Sequence, residues 1–138
     1  MYILPWIICG KISIFILHYS ALFGTEPSVV KPDYAKWILD DPYINFAISA
    51  RGAKSGLDHV GIQVDSEEAL NEVNQRLAQA DLSAAEQKNA QCCYATSNKY
   101  WTIDPQGIAW EAFHSLTTIP AFGKDTSILT KTESCCAA

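Results

Sequence analysis

Two cysteines, Cys92 and Cys93, stand on adjacent residues in the stretch NAQCCYATSNKYW. Successive Cα atoms lie about 3.8 Å apart, closer than disulfide geometry prefers, so a bridge between them would need a strained ring. Two neighbouring thiols are better suited to gripping something soft. A second pair of groups able to do chemistry is His59, in LDHVGIQV, and Glu111, in IAWEAFH. If both side chains faced one concavity, an imidazole and a carboxylate would converge there, the beginning of a metal site. The alternative is equally physical: a strand histidine satisfied by hydrogen bonds, and a strand-end glutamate left in water.

The elements that must position these groups follow from the pattern. Residues 57–64 alternate as a strand, with Val60, Ile62 and Val64 on one face and Leu57, His59, Gly61 and Gln63 on the other. In residues 108–114, Ala109, Glu111 and Phe113 share a face opposite Trp110, Ala112 and His114. Gly61 leaves room beside His59 and Glu111. The clearest helix is DSEEALNEVNQRLAQADL, with Ser66 as its cap, Glu67 and Glu68 in its first turn, and an apolar stripe of Leu70, Val73, Leu77 and Ala80. Another helical segment, FILHYSALFG, closes at Gly24. Further strands are expected at Ser28–Lys31, Tyr34–Leu39, Ile44–Ser49, Cys92–Ser97 and Tyr100–Ile103.

An internal echo organises these elements. KWILDDPYINFAI is answered by YWTIDPQGIAWEAF, with Trp37 matching Trp101, Leu39 matching Ile103, Asp41–Pro42 matching Asp104–Pro105, and Ile44 matching Ile108. The chain therefore reads as α+β, two copies of strand–helix–strand–strand–strand, the second beginning near residue 56. At 138 residues it fits one domain, here residues 1–117, with 118–138 a flexible tail carrying Cys135 and Cys136. A net charge of −5, without a basic block, argues against nucleic acid and anionic membrane surfaces. Five clustered cysteines fit free thiols in a reducing, cytoplasmic setting better than a disulfide framework. The apolar start, MYILPWIICGKISIFIL, has neither the basic beginning nor the cleavage site of a signal peptide, and Pro5, Gly10 and Lys11 interrupt it as a membrane span.

The repeat, GLDHVGIQV and DPQGIAWEAFH together resemble the glyoxalase/bleomycin-resistance/dioxygenase superfamily, the vicinal oxygen chelate fold. Within it, FGTEPSVVKPDYAKWILDDPYINFAIS, GLDHVGIQVDSEEAL and CCYATSNKYWTIDPQGIAWEAFH are similar to the carbon–arsenic lyases of arsenic resistance and to the cadmium-induced proteins. The resemblance covers about Tyr19 to His114. It implies a cupped mixed sheet and an Fe(II)-dependent, dioxygenase-type lyase that cleaves trivalent organoarsenicals with dioxygen. It further implies iron on His59 and Glu111, As(III) capture by Cys92 and Cys93, and, as in many superfamily members, a homodimer.

The sequence departs from that pattern at its start. The repeat places the expected first-strand histidine near Ile3 or Leu4, but positions 1–8 contain no His, Asp, Glu or Cys. The counterpart of Glu111 is Ala47, which cannot bind a metal. Cys9 falls late for the strand position, and His18 lies in the helical segment, where it is expected to pack rather than ligate. These departures suggest that residues 1 to about 18 come from a shifted reading frame or a misassigned start, with a disrupted first strand and impaired iron binding. The competing functional expectation is a non-catalytic thiol protein that binds cadmium or arsenite.

Overall fold

A computed structural model describes residues 1–51, 54–92 and 94–118, with Cys92 described by its backbone alone. The elements run β1 (Tyr2–Ile8), α1 (Ile12–Phe23), β2 (Val29–Lys31), β3 (Tyr34–Asp40), β4 (Tyr43–Ser49), β5 (Gly56–Gln63), α2 (Glu67–Gln79), β6 (Ala85–Cys92), β7 (Ala95–Ile103) and β8 (Ala109–Thr118). This is the expected pair of βαβββ modules, joined in an 8-stranded sheet of order β2-β3-β4-β1-β5-β8-β7-β6. Each module's first strand runs parallel to its last, β1 with β4 and β5 with β8, while β1 and β5 pair antiparallel at the module boundary.

The two helices cover one face of the sheet. Ser66 Oγ accepts the Ala69 N–H at 3.1 Å, and Glu67 and Glu68 lie where the helix dipole favours acids. Leu70 is buried, and Ile62, Val64, Val73, Tyr100 and Ala112 form a cluster with it. α1 has no side-chain cap at Lys11 and ends at Gly24, whose φ of 67° is the left-handed conformation glycine tolerates. Its Phe15, Tyr19 and Phe23 pack on Trp37 and Phe46, leaving Ile14, Leu17 and Leu22 exposed.

The uncovered face curls into a cup. Although β3 lies near one edge of the sheet and Tyr94 immediately precedes β7 near the other, the Tyr34 and Tyr94 rings meet, with centroids 5.4 Å apart. Curvature thus brings both wings of the sheet together at the rim.

Several expectations change. Residues 2–8 form a complete central strand rather than a disrupted one. β6, AEQKNAQC, has no apolar alternation to announce it. It is an edge strand with a register shift between Gln87 and Ala90, and edge position relieves its polar side chains of any core. β7 is one strand rather than two, and β8 extends to Thr118. The remaining tail, including Cys135 and Cys136, lies outside the described residues.

The matching of Trp37 with Trp101 also fails in space. Trp37 pairs with Phe46 and packs beneath α1, whereas Trp101 pairs with Glu111 and lies on the cup side beside His59. Two residues separate β3 from β4, and five separate β7 from β8. Even and odd loop lengths set opposite strand parity, so strings aligned by sequence pair one residue out of step. The residue of β3 equivalent to Trp101 is therefore Lys36.

Candidate functional site

His59 and Glu111, whose strand faces the sequence sorted separately, meet in the structure. Both are buried, and His59 Nε2 lies 3.2 Å from Glu111 Oε1. On its other side, His59 Nδ1 lies 2.8 Å from Asp58 Oδ2, so both ring nitrogens face carboxylate oxygens. Lys99 Nζ donates to Glu111 Oε2 at 2.7 Å and is itself buried. Burial pushes the Glu111 carboxyl upward, but the Lys99 ammonium and His59 outweigh it and hold the group at about 2.

Gly61 makes this close packing feasible. A Cβ there would meet Glu111 Cγ at 3.0 Å, Glu111 Oε1 at 3.2 Å and Leu4 Cβ at 3.2 Å. Trp6 pairs with His59 across β1 and β5 and stacks on its ring, with centroids 5.5 Å apart. Trp101 meets the same imidazole edge-on at 5.3 Å. The cavity left between these groups has a volume of about 50 Å³.

The first module supplies the opposite wall. Trp6 sits against Ala47 in the β1–β4 pair, and Gly61 sits against Glu111 in the β5–β8 pair. With Ala47 equivalent to Glu111, Trp6 corresponds to Gly61 and Leu4 to His59. Leu4 consequently occupies the place where a first-strand donor would face His59 and Glu111. Lys36 and Asn45 complete this wall, and burial lowers the Lys36 ammonium below its ordinary value. Asn45 Nδ2 donates to Gln63 Oε1 at 2.8 Å, while Asn45 Oδ1 and Trp6 Nε1 are buried without a hydrogen-bond partner among the described residues.

This donor set does not fit a three-ligand divalent metal. Among the described residues, no group of three or more His, Cys, Asp or Glu side chains is placed to hold one. Glu111 already shares one oxygen with the Lys99 ammonium, and the third position is a hydrocarbon. Neither substitute helps: Cys9 is buried in the cluster under α1, its thiol pushed upward by burial, and His18 is exposed on the outer face of α1 rather than packed.

The thiol pair falls at the edge of what is described. Cys93 and the Cys92 side chain lie outside the described residues. The Cys92 backbone pairs with Ala95, from which β7 runs along the cup through Ala95, Ser97 and Lys99. Sequence reasoning missed Lys99, Asp58 and Tyr94. A lysine two residues before Trp101 in an otherwise uncharged strand is the signal that could have revealed Lys99.

A mixed sheet cupped by two βαβββ modules is the vicinal oxygen chelate architecture, and solved structures agree. The glyoxalase/bleomycin resistance protein/dioxygenase superfamily member from Vibrio splendidus aligns with a TM-score of 0.50 at 18% identity, covering 83% of this chain and 97% of that one. The Mn(II)-bound glyoxalase from Novosphingobium aromaticivorans aligns with a TM-score of 0.58 at 13% identity, covering 86% of this chain and 39% of that one.

Sequence relatives narrow the class. The chain is 45% identical to a trivalent organoarsenical cleaving enzyme from Bacillus sp. over 73% of its own length and 65% of that enzyme's, just under two thirds of the relative. It is 35% identical to the probable trivalent organoarsenical cleaving enzyme of Bacillus subtilis, over 86% of this chain and 78% of the relative. It is 33% identical to the cadmium-induced protein CadI of Mycobacterium bovis, over 78% and 72% respectively. No family model matches the chain. The chain belongs to the family of trivalent organoarsenical cleaving enzymes and cadmium-induced proteins, and it shares its fold with the glyoxalase/bleomycin resistance/dioxygenase superfamily member described above. Among the described residues, no helix is long and apolar enough to cross a membrane.

Proposed function

We propose that this chain acts on trivalent organoarsenicals: Cys92 and Cys93 capture the As(III) centre and present its carbon–arsenic bond at the cup for cleavage with dioxygen, which oxidises the departing carbon group (a methyl group to formaldehyde) and leaves arsenic as arsenite. The observation that supports this reading is the course of β7. The strand leaving the thiol pair, β7, continues directly along the cup wall through Lys99. Trivalent arsenic is thiophilic, and thiolates are the soft ligands a protein offers. A substrate fixed on two thiols meets the cup at a repeatable distance, converting an encounter into an intramolecular step.

Within this reading, His59 and Glu111 are the two donors a catalytic Fe(II) would use, and Leu4 is where this chain departs from a complete set. That departure favours a second reading, capture of the thiophilic ion without cleavage, in which the buried Lys99–Glu111 pair fills the place of metal chemistry.

One experiment separates the two. The protein is incubated with Fe(II), oxygen and a trivalent methylated or phenyl arsenical, and the arsenic products are speciated. Arsenite release by the protein as it stands, absent in Cys92→Ser/Cys93→Ser, supports cleavage. Tight binding without release, with release and stoichiometric Mn(II) retention appearing in Leu4→His, supports capture alone. Binding that survives loss of both thiols rejects both readings.

A further inference from the structure

The residue that leads into β7 is tied to the opposite wing of the sheet. Tyr94, the residue after Cys93, donates its hydroxyl to Asp33 Oδ1 at 2.9 Å. Asp33 lies between β2 and β3 and accepts Arg51 Nε on its other oxygen at 2.7 Å. The Asp33 carbonyl accepts the Ala50 N–H at 2.9 Å, so the loops flanking β3 and β4 brace each other. The Tyr94 ring lies 5.4 Å from Tyr34, with Lys31 Nζ 5.4 Å from its centroid. Burial, then Asp33, raises the Tyr94 phenol above its ordinary value, as expected for a donor to a carboxylate.

The backbone gives an independent reason to notice this residue. Tyr94 has φ of 68°, in the left-handed region where a bulky residue is strained. Short hairpin loops ordinarily use glycine or asparagine at such positions. A tyrosine there keeps a conformational cost, and its side chain reaches into the first module rather than into its own. The contact crosses 61 residues of sequence and spans the mouth of the cup.

We propose that Tyr94, Asp33 and Arg51 form a latch that ties the entry to β7, next in sequence to the thiol pair, to the first module, so that Tyr94 and Asp33 are positioning residues for arsenic capture. This rests on the reading of Cys92 and Cys93 as the capture pair. Both thiols must reach one arsenic atom, and a hairpin held by its own following residue loses less freedom when they do. Arg51 pairs with the other oxygen of the same carboxylate and so fixes its orientation toward Tyr94.

The test uses Tyr94→Phe, Asp33→Asn and the double variant, with phenylarsine oxide as the trivalent probe and hydrogen exchange of the amides in residues 90–96. Tyr94→Phe keeps the ring contact and removes only the hydroxyl. Each single variant is expected to raise the probe's dissociation rate about tenfold and to speed hairpin exchange by a similar factor. The double variant is expected to add little, because both changes break one bond. Unchanged hairpin exchange in both single variants, with the fold intact by circular dichroism, overturns the latch. Faster hairpin exchange with unchanged probe dissociation overturns the positioning role. If Cys92→Ser/Cys93→Ser binds the probe as wild type does while exchange still responds to Tyr94→Phe, the thiol reading fails and the latch stands as a structural tie alone.

Discussion

The two modules share a backbone plan and divide the chemistry unequally. The second module's wall is a closed network in which Asp58, His59, Glu111 and Lys99 each have a charged or hydrogen-bonding neighbour, packed around a glycine that must stay small. The first module's wall presents Leu4, Trp6 and Ala47 at the equivalent positions and leaves Trp6 Nε1 and Asn45 Oδ1 buried without partners among the described residues. Duplication supplies the frame, while one copy concentrates the ionisable groups and the other supplies aromatic surface, one lysine and unused polar atoms. The buried polar atoms of Trp6 and Asn45 on the first wall are there for a ligand entering the cup to meet.

This contrast can be broken most severely at Glu111. Glu111→Leu leaves the buried Lys99 ammonium without its counter-charge and is expected to cost about 3–5 kcal/mol in urea denaturation. Ala47→Ser, at the equivalent position of the first wall, involves no ion pair and is expected to cost less than half as much. Equal losses would show that the second wall's network contributes nothing special.

Acid provides the next largest effect. Glu111 is held at about 2 against an ordinary 4.5, because Lys99 and His59 overcome the upward push of burial. A carboxyl depressed on folding contributes stability above its unfolded value and loses it as pH falls, here between about 4.5 and about 2. The contribution is about 3 kcal/mol, measured as the difference between the pH profiles of wild type and Glu111→Gln. Parallel profiles through that window would remove the ion-pair account.

Gly61→Ala tests the space itself. Its Cβ would press on Glu111 and Leu4, and overpacking of this kind is expected to cost about 1–3 kcal/mol. Adding Leu4→Ala should return none of that loss, since alanine keeps the Cβ that the new methyl meets and the lost leucine leaves a cavity. The smallest effect compares the helices. Ser66→Ala removes the cap of α2 and is expected to cost about 1 kcal/mol, whereas Lys11→Ala at the uncapped start of α1 should change stability little.

Much of the second module was legible because its signals agree with one another. Capping, acidic first turn and apolar stripe all mark α2, and alternation sorted the faces of His59 and Glu111 within their own strands, while the β5–β8 pairing joins those faces. β6 was not legible, because an edge strand of polar residues has no core to impose a pattern. Lys99 escaped because its meaning depends on a partner 12 residues away across a hairpin whose register the sequence does not display. The first strand misled in the opposite direction. MYILPWII has no His, Asp, Glu or Cys yet has ample β-forming residues, so it pairs with β4 and β5 through its backbone without bringing a donor to the cup.

The unequal hairpin loops have a consequence for how such a cup could change over time. Because the five residues between β7 and β8 set which side of β7 faces inward, deleting one of them would turn Lys99 and Trp101 toward α2 and bring Tyr100 and Thr102 into the cup. A single surface deletion would exchange an entire interior wall, removing the counter-ion of Glu111 without altering any residue that lines the cavity. In a duplicated fold, indels at the periphery can therefore diversify a binding site faster than substitutions within it.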